Sequence, residues 1–264
     1  MITLTDLHVT FNPGTALENP VFSNLNLVIP DGQFVTVIGS NGAGKSTLLN
    51  VLSGDILPDR GEIQIGHQRV TTWRTARRAK LVARVFQNPL AGSCADLTVE
   101  ENLAIAVQRG RARGLRPFRS RSFRQDCQTW LAQLDLGLEN RLDDRMGRLS
   151  GGQRQAISLL MSTLAPNQIL LLDEHTAALD PKTAQYILSL TQQIVESRNL
   201  TTLMVTHSMK QALQWGHRTI MLHGGKIILD VEGRERASLT VTDLLQQFEA
   251  LAGDDLADDS LLLG

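Results

Sequence analysis

The sequence has few cysteines, few aromatic residues and no marked excess of charge of either sign. Its two cysteines, Cys94 and Cys127, lie far apart and form no CxxC pair, so neither a disulfide framework nor a thiolate metal site is expected. This cysteine use fits a reducing cytosol. The formal net charge is -1 over 264 residues, whereas nucleic-acid-binding domains are usually strongly basic. The overall charge therefore gives no reason to expect a nucleic-acid-binding protein.

Long apolar runs are also missing from the sequence. The longest ones, such as residues 169–172 and 261–263, are far shorter than the roughly 20 residues that a membrane-spanning helix needs. The first residues alternate apolar and polar side chains from Ile2 to Phe11, which predicts a strand and not the apolar stretch of an export signal. We therefore expect no membrane crossing by this chain and no export signal.

The strand and helix patterns change along the chain. Extended segments separated by Asn-Pro-Gly and Pro-Asp-Gly turns come first, and they predict β-structure. From Thr98, which is spaced from Glu101 as in a capping box, the pattern is helical until residue 168. Short apolar strands and helices then alternate, which indicates a parallel sheet covered by helices.

A glycine-rich segment follows the strand predicted at residues 34–38 and opens the next helix, which is the context that the P-loop motif requires. Its glycines let backbone N–H groups turn around phosphates, while the helix N-terminus and Lys45 supply positive charge. A chance glycine-rich turn is the alternative, and the strand, loop and helix context argues against it. The predicted phosphate site comprises Gly39, Ser40, Asn41, Gly42, Ala43, Gly44, Lys45, Ser46 and Thr47.

Polar residues directly follow several predicted strands. Asp173 and Glu174 end a very apolar run, and in a P-loop NTPase an acid there holds Mg²⁺ while the next one orients the attacking water. An exposed pair of loop acids is the alternative. His207 and Gln87 also follow short apolar strands, although a lone histidine is more often structural than catalytic. Because parallel sheets bind ligands at their carboxyl edge, we expect these residues and Gly39 to converge on one crevice.

The segment LSGGQRQ at residues 149–155 supplies a second glycine-rich helix N-terminus that suits an anion. The chain closely resembles the nucleotide-binding subunits of ABC transporters over about residues 2–230. The resemblance rests on the order of the P-loop, QNP at residues 87–89, LSGGQRQ, the strand end ILLLDE, ALD at residues 178–180, and His207. One departure is His175, which stands after Glu174 where members commonly have proline.

The resemblance implies a fold class and domain bounds. The fold is predicted to be α/β: a P-loop NTPase with a RecA-like core and a mainly parallel sheet, an N-terminal antiparallel β subdomain and an inserted α-helical subdomain. A single ATPase domain would span residues 1–240, with its core at 1–90 and 160–240 and the helical subdomain at 91–159. Residues 241–264 would form a C-terminal helix and an acidic tail.

The resemblance also implies roles for the motif residues. ATP and Mg²⁺ would be the cofactors, and Phe11 would stack on adenine, although an ordinary core position fits that residue equally well. Gln87 would link the γ-phosphate to the permease contact, and Asp180 would couple two sites. The catalytic residues would be Glu174, His207 and Lys45, and the metal would be held by Ser46, Gln87 and Asp173. The nucleotide of an opposing subunit would be clamped by Ser150, Gly151, Gly152 and Gln153.

The same resemblance predicts partners and location. They are a second, identical ATPase subunit, transmembrane permease subunits and, indirectly, an extracytoplasmic substrate-binding protein, with no nucleic acid. The chain would lie peripherally on the cytoplasmic face of the plasma (inner) membrane. The segments DEHTAALDP, MVTHSM and GKIILD resemble those of a bacterial branch of the family whose permeases work with substrate-binding proteins. An importer of a small solute such as an amino acid is therefore expected.

A cluster of seven arginines keeps an alternative open, because such a cluster can bind phosphate. A soluble ABC ATPase that acts on nucleic acid or ribosomes would use it in this way, whereas a solvated loop or a contact with lipid headgroups or permease needs no further partner. A small-molecule P-loop kinase would leave LSGGQRQ unexplained. The cluster comprises Arg109, Arg111, Arg113, Arg116, Arg119, Arg121 and Arg124.

Overall fold

The computed structural model describes residues 1–110 and 120–252. They form two compact units: Met1–Arg78 with the described residues from Val195 onward, and the described part of Ala79–Ile194. In this described part of the chain no helix is long and apolar enough to span a bilayer. The domain bounds given above stay a prediction.

The elements are numbered in chain order. The strands are β1 (Ile2–Phe11), β2 (Asn19–Ile29), β3 (Phe34–Gly39), β4 (Arg60–Ile65), β5 (Gln68–Arg69), β6 (Val82–Val85), β7 (Ile169–Asp173), β8 (Thr201–Val205), β9 (Arg218–His223) and β10 (Lys226–Glu232). The α-helices are α1 (Lys45–Ser53), α2 (Thr75–Arg78), α3 (Val99–Val107), α4 (Arg121–Ala132), α5 (Gly151–Leu164), α6 (Pro181–Arg198), α7 (Met209–Gln214), α8 (Gly233–Ser238) and α9 (Val241–Ala252). Short 3-10 turns lie at Pro89–Gly92, Leu138–Asn140 and Met146–Arg148.

The first unit opens with an antiparallel sheet in the order β2-β1-β4-β5. Ile2, Leu4, Leu7 and Val9 of β1 are buried, as expected for a strand with one face on the core. The alternation shifts between Leu4 and Leu7, where the pairing is irregular and Asp6 has a φ of 48°. The strands predicted at the start of the chain are therefore present.

The second sheet of this unit runs in the order β10-β9-β3-β8. Strand β3 lies between β8 and β9, parallel to both, and all its residues are buried. Strand β10 pairs with β9 in the antiparallel sense. This arrangement puts the carboxyl ends of β3, β8 and β9 along one edge, where ligands bind in such sheets.

Helix α1 begins directly after Gly44 and ends at Gly54, both in the left-handed region. Its apolar side, which includes Leu48, Leu49 and Leu52, is fully buried. The helix predicted after the glycine-rich segment is confirmed, and it ends at a glycine in the usual left-handed conformation.

Arg78 is fully buried beneath this helix. Its guanidinium donates to the carbonyl oxygens of Val51 and Leu52 in the last turn of α1, and to those of Val70 and Thr71. Burial lowers the pKa of Arg78 to about 10, and the nearby Asp55 opposes that effect. The guanidinium therefore stays charged at neutral pH, at the negative end of the α1 dipole.

The second unit contains the parallel pair β6 and β7 together with the helices from α3 to α5. Thr98 and Glu101 form the predicted capping box at the start of α3. Arg124 of α4 pairs with the buried Glu100 and with Asp143. Of the arginine cluster, Arg111, Arg113, Arg116 and Arg119 lie outside the described residues.

Candidate active site

The phosphate loop starts where β3 ends. Gly39 has a φ of 148°, and a Cβ atom there would lie 2.0 Å from the carbonyl oxygen of Leu222. Gly44 has a φ of 101°, and its Cβ would lie 2.7 Å from a ring carbon of Phe22. Only glycine fits at these two positions, because the neighbouring strands come too close for a side chain. The loop thus has the glycine backbone conformations that the motif predicted, and the structure adds the close packing.

Lys45 is buried within this loop. Its Nζ donates to the carbonyl oxygens of Gly39 at 2.7 Å and Ser40 at 2.8 Å. The ammonium is therefore held across the loop at the N-terminus of α1, where the helix dipole adds positive charge. The positive charge of Lys45 and the backbone N–H groups at the helix N-terminus thus lie together, which suits the binding of a polyphosphate.

Ser40 also has a side-chain partner in the first unit. Its hydroxyl lies 3.2 Å from Nδ1 of His223, the last residue of β9, and the His223 ring packs edge-on against Phe248 of α9. The phosphate loop is thereby connected to the C-terminal helix. Sequence reasoning missed this connection.

His207 lies at the same sheet edge as Gly39. Val37 pairs with Val205, and the backbone N–H of Thr206 donates to the carbonyl oxygen of Val37 at 3.1 Å, so β8 ends beside the loop. Phe11, at the end of β1, keeps 36% of its surface exposed. An aromatic ring with this exposure can offer a face for stacking.

In the second unit Asp173 ends β7, and its carboxylate already has a cationic partner. Nη2 of Arg84, on β6, donates to Oδ2 of Asp173 at 2.6 Å. Glu174 follows with a φ of 45°, which is unusual for a residue that is not glycine. Strained backbone of this kind is concentrated at functional sites, which agrees with the predicted role of Glu174.

His175 is buried behind Glu174 and anchors the turn to α6. Its Nε2 lies 3.1 Å from the hydroxyl of Thr191, which itself donates to the carbonyl oxygen of Ile187 at 2.7 Å. The Thr191 oxygen therefore accepts, and Nε2 of His175 carries the proton. Burial lowers the pKa of His175 to about 4, so the ring is neutral at physiological pH.

Acid is expected to destabilise the fold through His175. The folded protein keeps this ring neutral while the unfolded chain protonates it below about pH 6.5, so stability is full above that pH and falls toward pH 4. With a folded-state pKa of about 4, the loss between pH 7 and pH 5 is about 2 kcal/mol. Urea denaturation at both pH values should show this difference, and His175→Gln should reduce it.

The exposed His67 offers a matched control for that experiment. His67→Gln should leave the pH dependence of the unfolding free energy as it is in the unaltered protein. An equal pH dependence in the protein and in His175→Gln would contradict the assignment.

The residues predicted to clamp the nucleotide of an opposing subunit lie at the start of helix α5. Ser150 is its N-cap, and the side chains and backbone N–H groups of Ser150 and Gln153 form a reciprocal capping box. A Cβ atom at Gly152 would lie 2.4 Å from Cγ2 of Thr183, so α5 and α6 approach closely there. The rigid, glycine-bearing N-terminus suits the binding of an anion.

Two further predicted residues lie in the second unit. Asp180 accepts a hydrogen bond from the backbone N–H of Thr183 at 3.1 Å, and hydrogen bonds from the Thr183 side chain and backbone lower the pKa of its exposed carboxyl. Gln87 lines a cavity of about 370 Å³ that Gly151 and His175 also line. The structure thus brings Gln87 and the clamp helix to one cavity within this unit.

The predicted site residues thus form two sets. Gly39, Lys45 and His207 lie at one edge in the first unit, and Asp173 and Glu174 lie at the end of β7 in the second. Their convergence on one crevice stays a prediction. The oxygen ligands of Ser46 and Asp173 are of the kind that Mg²⁺ prefers, and Mg²⁺ is usually held by few protein ligands together with substrate phosphates.

Comparison with known proteins decides the family. A family model described as "ABC transporter" matches residues 22–177. The chain belongs to the ABC transporter family. The tyrosine transport ATP-binding protein of Clostridioides difficile (strain R20291) is 45% identical over 94% of this chain and 99% of its own length. The phosphonates import ATP-binding protein PhnC 1 of Ruegeria sp. (strain TM1040) is 31% identical over 98% of each chain.

Solved structures of the family agree. The dimeric ATP-binding cassette MJ0796, in a post-hydrolysis state bound to ADP and Pi, superposes with a TM-score of 0.75 at 28% identity, covering 88% of this chain and 98% of its own. A nucleotide-free cassette from an ABC transporter superposes with a TM-score of 0.76 at 21% identity, covering 93% and 95%. These matches confirm the predicted α/β cassette fold, and the chain is an ATP-binding ATPase of the ABC type.

Proposed function

We propose that this chain is the ATP-hydrolysing subunit of an importer of a small solute such as an amino acid, and that it energises a separate transmembrane permease. The observation that carries the proposal is the 45% identity, over almost the full length of both chains, to a tyrosine transport ATP-binding protein. The relatives named for phosphonate and thiamine import support import more generally. These names favour transport over the nucleic-acid alternative.

The geometry supports a division of labour among the residues. The loop and Lys45 bind the phosphates of ATP, and Phe11 stacks on its adenine. Ser46, Gln87 and Asp173 would hold Mg²⁺, which would supply positive charge to the phosphates. Glu174 orients and polarises the attacking water.

We further propose that two copies share each nucleotide. His207 contacts the γ-phosphate, Ser150, Gly151, Gly152 and Gln153 clamp it from the other subunit, and Asp180 couples the two sites. The dimeric cassette among the similar structures supports this arrangement. A symmetric pair gives two equivalent composite sites.

The proposal places the chain at the cytoplasmic face of the plasma (inner) membrane, bound to its permease, with an extracytoplasmic binding protein delivering the solute. The proposal includes no nucleic acid among the partners of the chain. Arg124 is paired with two carboxylates, and Arg109 donates to the carbonyl oxygen of Ser162 at 2.6 Å. These two members of the arginine cluster serve the helical part of the chain itself.

Uptake in proteoliposomes tests the proposal. The chain is reconstituted with its cognate permease and binding protein, and uptake of labelled tyrosine, phosphonate and thiamine is measured with ATP inside. We expect ATP-dependent uptake of tyrosine, abolished by Lys45→Ala and kept by Lys226→Ala, which changes an exposed lysine on β10. ATP-dependent uptake of phosphonate or thiamine alone, or solute efflux, would refute an amino-acid importer.

A further inference from the structure

Arg84 is a charged residue in an otherwise apolar strand. Val82, Ala83 and Val85 of β6 are buried, and only 11% of the Arg84 side chain is exposed. Its guanidinium lies 4.8 Å from the centre of the Phe86 ring and donates to Asp173 at 2.6 Å. The charge is therefore held between an aromatic face and a carboxylate, well away from bulk water.

The pairing follows from the register of the sheet. Arg84 lies opposite Leu171 in the parallel pair of β6 and β7. Asp173 is two residues further along β7, on the same face as Leu171, because side chains alternate with a period of two. The diagonal contact is thus built into two neighbouring strands and needs no loop to position it.

The Arg84–Asp173 pair bears on metal binding, because Asp173 is one of the residues assigned to Mg²⁺. The Asp173 side chain is 17% exposed, and a carboxylate so far from water is costly unless a cation or hydrogen bonds compensate it. Arg84 supplies that compensation within the protein itself. Any second cation brought to Asp173 then meets the positive charge of Arg84, which weakens its attraction.

We propose that Arg84 is a positioning residue that neutralises Asp173 and lowers the affinity of the site for Mg²⁺, so that the metal is held tightly only together with nucleotide phosphates. The proposal rests on the assignment of Asp173 to Mg²⁺ made above. Phosphate oxygens bring the negative charge that outweighs Arg84. Arg84 thereby makes metal binding conditional on nucleotide.

The test is the Mg²⁺ dependence of nucleotide binding, followed by the fluorescence of a labelled ATP analogue. Arg84→Gln should lower the Mg²⁺ concentration for half-maximal binding by at least about fivefold, since it removes one charge close to a divalent ion. Arg84→Met should do the same while keeping an apolar contact with Phe86. Arg84→Lys keeps a positive charge near Asp173, and the Mg²⁺ concentration for half-maximal binding should stay within about twofold of that of the unaltered protein.

Controls separate this inference from the proposed function. Arg218→Gln breaks a comparable ion pair with Asp230, which is 2.5 Å long where the Arg84–Asp173 pair is 2.6 Å, and should not change the Mg²⁺ dependence. Asp173→Asn should abolish the dependence; if it does not, the metal assignment and this inference both fail. If Asp173→Asn behaves as expected but Arg84→Gln and Arg84→Met leave the Mg²⁺ concentration unchanged or raise it, only the role of Arg84 is overturned.

Thermal denaturation without nucleotide gives a second readout. Arg84→Gln leaves a poorly compensated carboxylate, so its melting temperature should fall, and millimolar Mg²⁺ alone should restore part of the loss. The unaltered protein should respond to Mg²⁺ less than the variant does. An equal or smaller response of the variant would contradict the proposal.

Discussion

Glu174→Gln is expected to keep ATP binding and to lower turnover by at least about 10²-fold, the scale that loss of water activation produces. Glutamine keeps the shape of the side chain and removes the carboxylate that polarises the water. The backbone φ of 45° at Glu174 suits glutamine no worse than glutamate, so the turn that follows β7 should persist. The change therefore isolates the charge.

Single-turnover hydrolysis, with enzyme in excess over labelled ATP, is the decisive measurement, and equilibrium binding of ATP is measured alongside it. Glu235→Gln, an exposed glutamate on α8, is the matched control and should hydrolyse ATP at the normal rate. A single-turnover rate of Glu174→Gln within a few-fold of the unaltered protein would remove this residue from the chemistry.

Mixed dimers of Lys45→Ala and Ser150→Arg are expected to trap nucleotide although neither homodimer does. Lys45 belongs to the phosphate loop and Ser150 caps the N-terminus of α5. If each nucleotide lies between the loop of one copy and the α5 N-terminus of the other, every site in either homodimer carries one defect. In a mixed dimer one site collects both defects and the other is intact.

Trapping of labelled ATP in purified mixed dimers measures this directly, because trapping at the one intact site does not depend on turnover at the other. Differently tagged subunits allow the mixed species to be isolated in two affinity steps. Dimers that form but trap no more ATP than the separate variants would refute the shared site. Ser150→Arg is chosen because a long cationic side chain would occupy the anion-binding N-terminus of α5.

Features set by neighbours in the chain could be predicted from sequence. The phosphate loop depends on glycines at fixed offsets after an apolar strand, and the capping box of Thr98 with Glu101 spans three residues. Gly54 ends α1 for an equally local reason, its left-handed backbone. In each of these cases the residues that determine the local structure are close together in the sequence, so the structure can be predicted from them.

Contacts between distant segments could not be predicted in this way. Arg84 and Asp173 are 89 residues apart, and Ser40 and His223 are 183 apart. An arginine inside an apolar strand was a usable signal, because a buried charge demands a partner, but only the register of β6 and β7 identifies Asp173. His175 differed visibly from the family pattern, and its anchor, Thr191, emerged only from the packing of α6.

Arg78 ties the folding of two segments together. Its guanidinium donates hydrogen bonds to carbonyl oxygens at the end of α1 and at residues 70–71. If either segment unfolded alone, these carbonyl oxygens and the buried guanidinium would lose their hydrogen bonds, which costs free energy. The helix that bears the phosphate loop and the turn after β5 therefore form one cooperative unfolding unit. Nucleotide held at the beginning of α1 should thus slow hydrogen exchange at residues 70–71, at the opposite end of that helix.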